Sequence, residues 1–343
     1  MKMLGDLFSG RENNMNLMRL VAAFAVIYGH ASAITGHGPG DIFLQLVGFK
    51  FIGGVAVDVF FVLSGFLVCA SAMSVNGLKY YFASRLLRIY PALFVCVGLS
   101  VLVIGPLLSV SDMYWSDPQT WRYLFNNATA FRTEYFLPGV FTSLHDPAVN
   151  GSLWSLQVEV RLYLILALAA ILGVFRNRAL FNFLFFATLV IGYLKPDVFG
   201  GFLGPENHRH VAMMFLIGAF AWINRDQIPM SPVFMLALLF FAATLHGTDK
   251  FNYAYSILLP YAVLYIAVAP GGRWFDRFGD YSYGVYLYGW LSQQLVMAAY
   301  PDASNAANAW LGALLALAFA MMSWHFIEKP SLAYKKLFAR KVA

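Results

Sequence analysis

The chain has 343 residues, of which 60% are hydrophobic and only 12% are charged. Ordinary soluble proteins are roughly 45–50% apolar and about 25% charged. A water-soluble globule cannot cover so much apolar surface with so few charges, so the composition excludes intrinsic disorder, a disulfide scaffold and a nucleic-acid-binding domain, despite a net charge of +6. An all-α integral membrane protein remains, because lipid cannot satisfy open backbone groups and a helix satisfies its own.

Ten apolar stretches are predicted to be transmembrane helices, since each approaches the ~20 residues that a span needs. They cover residues 16–35, 51–73, 91–110, 152–174, 179–194, 208–224, 231–246, 251–269, 281–300 and 307–328. If the chain crosses the membrane ten times, most of its 23 Lys and Arg residues lie in loops on the same side as the N-terminus. This bias predicts that both termini are cytoplasmic. A single polytopic membrane domain over residues 1–343 is therefore expected.

Two stretches outside these spans are informative. Residues 77–90 interleave aromatic and leucine side chains with Lys79, Arg85 and Arg88, which predicts a cationic interfacial helix on the cytoplasmic face, in contact with membrane lipids. Residues 111–150 form the longest loop and are predicted to lie outside. Loops of this length within a compact protein are usually functional.

Ionisable side chains inside a membrane are costly, and each indicates a functional site. Four fall inside the predicted spans: His30, Asp58, Glu159 and Arg161. The rise of about 1.5 Å per residue places His30, Asp58 and Glu159 at a similar depth in the outer half of the membrane. Gln293 and Gln294 are predicted to lie in the same layer.

A histidine and carboxylates in one buried layer indicate acid–base chemistry. A carboxylate bonded to one ring nitrogen fixes the tautomer and raises the basicity of the other nitrogen. The alternative is that these groups only tie helices together. Arg161 lies two residues from Glu159 and is expected to face another side of the helix and to pair elsewhere.

The other histidines give weaker predictions. Five lie in or near the outer loops and are expected to be solvated: His37, His145, His208, His210 and His246. His325 and Glu328 are predicted to belong to an interfacial charge cluster at the cytoplasmic end of the last span. No Cys/His cluster has the spacing of metal ligands, so neither a metal site nor a bound cofactor is expected.

Six segments carry a family pattern. The first is NLMRLVAAFAVIYGH, with Arg19 and His30; the others are GVAVDVFFVLSGFLV with Asp58, FASRLLRIYP with Arg85 and Arg88, SLWSLQVEVRLYL with Glu159, FGDYSYGVYLYGWLSQQ and SWHFIEKP. Together they resemble the acyltransferase-3 family of integral membrane acyltransferases, many of which O-acetylate bacterial cell-surface carbohydrates. The family often has Trp-His where this chain has Tyr288-Gly289, so a histidine there is not essential in this protein.

The resemblance implies transfer of an acetyl group from cytoplasmic acetyl-CoA to a hydroxyl of a cell-surface or exported polysaccharide or a lipid-linked glycan, in the inner or plasma membrane. It assigns donor binding to Arg19, Arg85 and Arg88, whose guanidinium groups suit phosphates. His30 is the expected general base or nucleophile. We expect Asp58 to hold His30 and Glu159 to serve the acceptor side.

A proton-coupled secondary transporter of a small or glycan-related substrate is the alternative function. Such a protein would also carry intramembrane His, Asp, Glu and Arg residues. The chain has no evident internal repeat of the kind that marks many transporters. This absence and the Arg85-x-x-Arg88 patch favour the acyltransferase.

Overall fold

The computed structural model describes residues 2–8, 13–195 and 197–339. Within these residues the fold is all-helical, with one isolated bridge between Met3 and Pro229. In the described part of the chain, six helices are long and apolar enough to cross a membrane: Met15–Thr35, Ile52–Ala72, Gly77–Leu108, Gly151–Ile171, Phe251–Val268 and Asn305–Phe338. The predicted class, a multi-pass helical membrane protein, is confirmed.

The other predicted spans are also helical but are shorter or less apolar. Arg178–Leu194 and Asp197–Leu203 meet at a bend of 105° and form a seventh span only if they are taken together. Glu206–Ile223, Pro232–Leu245 and Ser282–Ala299 coincide with three further predicted spans, and Pro232–Leu245 has 14 residues. The count of ten spans and the cytoplasmic termini stay predictions.

The helix that begins at Gly77 differs from the prediction at Pro91. An interfacial helix was expected over 77–90 and a separate span after it, but one α-helix runs over Gly77–Leu99 with Pro91 inside it. It continues through a π-helical turn at Ser100–Ile104 to Leu108. The predicted break is wrong because membrane helices tolerate proline where neighbouring groups and local π-helical adjustments satisfy the freed backbone.

The long outer loop at 111–150 contains a helix of its own. Pro118–Ala128 begins after Asp117, whose side chain accepts a hydrogen bond from the Gln119 amide. Pro118 occupies the first helical turn, where a missing N–H costs nothing. Sequence analysis had treated this stretch as loop alone. Two further short helices are Leu4–Leu7 and Ile42–Val47.

The described chain divides into two compact units. The first unit comprises Met1–Arg19, Val57–Leu78 and Arg161–Phe278. Within it two helices approach closely at glycines: a Cβ at Gly65 would lie 1.9 Å from the Phe215 carbonyl oxygen, and one at Gly218 would lie 2.2 Å from that of Val62. Glycine at these two positions therefore allows the close approach of the two helices.

The second unit comprises Leu20–Ala56, Lys79–Val160 and Gly279–Ala343. Ser282–Ala299 packs along Asn305–Ser323, and Gln293 donates to the Asn308 side chain across this contact at 2.7 Å. Gly29 and Gly53 also bring their backbones together, since a Cβ at Gly29 would lie 2.4 Å from the Gly53 nitrogen. The expectation of a single domain stays a prediction.

Candidate active site

His30 lies in the second unit, and a backbone carbonyl fixes its tautomer. The His30 Nδ1 atom is 2.7 Å from the Val26 carbonyl oxygen, one helical turn earlier. A carbonyl oxygen only accepts hydrogen bonds, so Nδ1 carries the proton and Nε2 presents its lone pair. Sequence analysis expected a carboxylate in this role. Nε2 is the nitrogen that can take a proton or attack a carbonyl carbon.

Two aromatic rings enclose the imidazole. The Phe51 ring centroid is 5.2 Å from that of His30 and the Trp290 centroid is 5.1 Å away, both in edge-on arrangements. Trp290 is itself fixed, because its indole N–H donates to the Ala148 carbonyl at 2.9 Å. Gly53 leaves room beside the ring, since a Cβ there would lie 3.3 Å from His30 Nδ1. These contacts hold the imidazole in a defined orientation.

The two glutamines predicted to share the His30 layer do lie in the second unit near its helix. The Gln293 amide donates to the Ile27 carbonyl at 2.9 Å, less than one turn before His30. The Gln294 amide donates to the carbonyls of Asp146 and Ala148 at 2.6 and 2.7 Å. The polar layer therefore includes the outer-loop backbone, which sequence analysis did not anticipate.

Glu159 is partly buried on the helix that contains Gly151–Ile171. One turn earlier, the Ser155 hydroxyl is 2.6 Å from the Tyr286 hydroxyl, which also donates to the Ser152 carbonyl. Residues one turn apart share a helix face, so Glu159 is on the face that packs against Ser282–Ala299. Its predicted role towards the acceptor stays a prediction.

Arg88 belongs to a buried ion cluster. Its guanidinium donates to Asp280 at 2.7 Å and lies 3.5 Å from Glu328, whose side chain is only 1% exposed. The Ser323 hydroxyl donates to the other Glu328 oxygen at 2.8 Å. Glu328 is thus a buried carboxylate within a charge cluster, and its predicted interfacial position stays a prediction. The local pattern around residue 328 carried no signal of a partner in the Arg88 helix.

The other two arginines assigned to the donor are partly exposed. Arg85 lies one turn before Arg88, with its Nε 3.4 Å from the Ser84 hydroxyl. Arg19 lies in the helix Met15–Thr35, eleven residues before His30. Eleven residues bring both side chains to nearly the same helix face, about 16 Å apart along the axis.

Asp58 lies in the first unit and has partners that sequence analysis missed. Its Oδ2 accepts a hydrogen bond from the Tyr255 hydroxyl at 2.6 Å and lies 3.2 Å from His210 Nε2. Asp58 is fully buried, and the His210 side chain is 18% exposed. Asp58 therefore joins three helices of its own unit. Its predicted roles in catalysis and in holding His30 stay predictions.

Replacing Asp58 with asparagine is expected to destabilise the protein. A hydrogen bond to a charged group is worth about 1.5–3 kcal/mol, and the amide removes the charge that binds Tyr255 and His210. Thermal unfolding in detergent measures the loss. Asp226→Asn is the control, because Asp226 is 57% exposed in the same unit. Equal melting temperatures for the two variants would contradict the buried role of Asp58.

Arg161 has a partner on another helix, as predicted. Its guanidinium donates to the Phe202 carbonyl at 2.7 Å, at the end of the helix Asp197–Leu203. A cation at a helix C-terminus is favourable because carbonyls there lack intrahelical partners.

The prediction that the outer-loop histidines are solvated is wrong for two of them. His208 is buried, and its ring is bonded to the Leu203 carbonyl at 3.0 Å. The His210 side chain is only 18% exposed and lies 3.2 Å from Asp58.

Comparison with known proteins places these residues in context. A family model for an acyltransferase domain, of the acyltransferase-3 type, matches residues 12–325. An O-acetyl transferase of Shigella phage Sf6 is 27% identical over 93% of this chain and 96% of its own length. Nodulation protein 10 of Rhizobium leguminosarum bv. viciae is 28% identical over 98% of this chain and 97% of its own.

A putative O-acetyltransferase of Staphylococcus aureus (strain COL) is 24% identical over 81% of this chain and 52% of its own length. No solved structure matches the chain. The matched range includes His30, Asp58, Glu159 and the three arginines assigned to the donor, whereas Glu328 lies just beyond its end. The chain belongs to the acyltransferase-3 family and is a membrane-bound acyltransferase of the O-acyl or O-acetyl type.

Proposed function

We propose that this protein moves an acetyl group from cytoplasmic acetyl-CoA to a hydroxyl of a cell-surface or exported polysaccharide or a lipid-linked glycan. Its location would be the inner or plasma membrane. Family membership supports acyl transfer, and the O-acetyl transferase relative supports the acetyl group. The observation that carries the proposal is the hydrogen bond from His30 Nδ1 to the Val26 carbonyl, which leaves Nε2 as a base or nucleophile.

His30 can act by two routes, which share the same overall reaction. As a general base, Nε2 takes the proton of the acceptor hydroxyl while its oxygen attacks the thioester carbon, and the imidazolium then protonates the leaving CoA thiolate. As a nucleophile, Nε2 attacks the thioester, expels the CoA thiolate and holds the acetyl group as an acetylimidazolium. The acceptor hydroxyl then attacks the acetyl carbon, the bond to Nε2 breaks, and the hydroxyl proton balances the thiolate to give free CoA. Either route yields an acetyl ester and free CoA.

Phe51 and Trp290 support both routes. Edge-on aromatic rings around His30 exclude water from the imidazole, which slows hydrolysis of the thioester or of an acetylated ring. Glu159, on the face towards Ser282–Ala299, is proposed to bind the acceptor. Asp58 is proposed to act through the stability of its own unit.

Arg19 and Arg85 are proposed to bind the phosphates of the donor. The thioester of this donor lies at the end of the long pantetheine arm, away from its phosphates. Arg88 is engaged by Asp280 and Glu328. We therefore propose that Arg88 positions the helix that presents Arg85.

Arg85→Ala is expected to raise the KM for acetyl-CoA about tenfold to a hundredfold, because a charged hydrogen bond is worth about 1.5–3 kcal/mol. The KM for the glycan should not change. Steady-state kinetics of CoA release measure both values. Arg176→Ala is the control, since Arg176 is an exposed arginine predicted to face the cytoplasm. A donor KM equal to that of the control would argue against donor binding by Arg85.

Mass analysis of surface polysaccharide, from cells with and without this protein, tests the proposed function. We expect acetyl groups, each adding the mass of C2H2O, only where the protein is present, and we expect mild alkali to remove them. Cells complemented with His30→Ala should resemble cells without the protein. Identical polysaccharide masses in all three strains would contradict the acceptor class.

A further inference from the structure

The outer-loop segment His145–Ala148, which we call the outer clamp, is held firmly in the second unit. The Ala148 carbonyl accepts hydrogen bonds from both Trp290 and Gln294, and the Asp146 carbonyl accepts a further one from Gln294. Gln294 is fully buried. Three hydrogen bonds on two neighbouring carbonyls fix the backbone of this segment beside the helix Ser282–Ala299.

The outer clamp also packs on the helix that carries His30. Ala148 shares a buried apolar cluster with Ile34, one turn after His30, and with Trp290. The His145 ring lies against Gly36 at the end of the same helix, where a Cβ would come within 2.7 Å of the ring. Trp290 thus contacts His30 with its ring and the outer clamp with its N–H.

Two aspartates lie on segments next to the surroundings of His30: Asp146 in the outer clamp, and Asp41, which accepts from the Ile52 amide beside Phe51. Both Asp41 oxygens are occupied, because they accept from the amides of Leu44 and Ile52. Asp146 differs. Its Oδ1 accepts from the Ala148 amide at 2.8 Å, whereas its Oδ2 has no hydrogen-bond partner within the described part of the chain, and the side chain is partly exposed.

We propose that Asp146 is an acceptor-binding residue, whose Oδ2 accepts a hydrogen bond from a glycan hydroxyl adjacent to the one that His30 serves. This inference rests on the proposed function. An ionised carboxylate offers acceptors only, and hydroxyl groups are the donors that a carbohydrate presents in number. The fixed backbone of the outer clamp holds this oxygen in place, so little ordering is needed when the glycan binds.

Asp146→Asn separates this role from a structural one. The asparagine Oδ1 can still accept from the Ala148 amide, so the local turn is kept, while an NH2 group replaces the second oxygen. We expect the KM for alkali-de-O-acetylated surface polysaccharide to rise about tenfold to a hundredfold. The KM for acetyl-CoA should not change. Asp146→Glu keeps the charge and should be less affected.

Asp112→Asn is the matched control, because Asp112 is an exposed aspartate in the same outer loop. A polysaccharide KM for Asp146→Asn equal to that of Asp112→Asn would overturn the inference and leave Asp146 as a turn residue. An equal rise in the KM for acetyl-CoA would also overturn it, as general damage to the site. Absence of transfer by the unmodified protein would instead refute the proposed function, and this inference with it.

Discussion

Replacing His30 with alanine is expected to lower acetyl transfer by about 10²-fold to 10⁴-fold, the contribution typical of a positioned acid–base group. The variant loses the Nε2 lone pair that the bond from Nδ1 to the Val26 carbonyl makes available. Helix formation should not suffer, since alanine is the best helix former. Incorporation of radiolabel from acetyl-CoA into polysaccharide measures the loss, and membrane yield shows that the variant inserts.

Two further variants sharpen this test. His37→Ala removes an exposed histidine just beyond the same helix and should retain full activity. His30→Gln keeps an N–H that can reach the Val26 carbonyl but has no ring nitrogen, so it should be as inactive as His30→Ala. Transfer by His30→Gln near the unmodified rate would show that the residue serves only to pack Phe51 and Trp290.

Arg88→Ala is expected to cause the largest loss of stability, about 3–5 kcal/mol, because it leaves a buried carboxylate without its cation. That carboxylate is Glu328, 1% exposed, and Asp280 loses its 2.7 Å bond as well. The melting temperature of the purified protein in detergent should fall sharply. The donor KM of any folded fraction should change less than that of Arg85→Ala.

Neutralising the partner gives the control for Arg88. In the double variant Arg88→Gln with Glu328→Gln, both charges are gone and the Ser323 hydroxyl keeps an oxygen to which it can donate. The double variant should therefore melt above Arg88→Gln alone. Arg85→Ala should melt near the unmodified protein, because Glu328 keeps its cation. If Arg88→Ala and Arg85→Ala melted alike, the ion cluster would have no role in stability.

Local features of the fold could be predicted from the sequence because they depend on neighbours along the chain. The apolar stretch at 251–269, for example, forms Phe251–Val268, and the stretch at 16–35 forms Met15–Thr35. The helix break predicted at Pro91 was wrong, because proline usually ends a helix in water but is tolerated within membrane helices. Pro232–Leu245 has 14 residues, fewer than the ~20 that a span needs, so the span predicted there stays a prediction.

The partners of the site residues could not be predicted in the same way. His30, Asp58 and Arg88 were identified because ionisable groups are rare in such stretches. Their contacts depend on residues far along the chain: Asp58 bonds His210, 152 positions away, and Arg88 bonds Asp280, 192 positions away. The depth of a residue along its helix does not say in which direction around the helix axis its side chain points. The estimate therefore could not distinguish a pairing of Asp58 with His30 from one with His210.

The reaction itself is the most direct test of the account. The purified protein in lipid vesicles, given acetyl-CoA labelled in the acetyl group and alkali-de-O-acetylated surface polysaccharide, should transfer label to the polysaccharide and release one CoA for each acetyl ester formed. The His30→Ala protein at equal amount should transfer almost none. Label that stays on CoA with the unmodified protein, or equal transfer by both proteins, would contradict the assignment of acetyl transfer to His30.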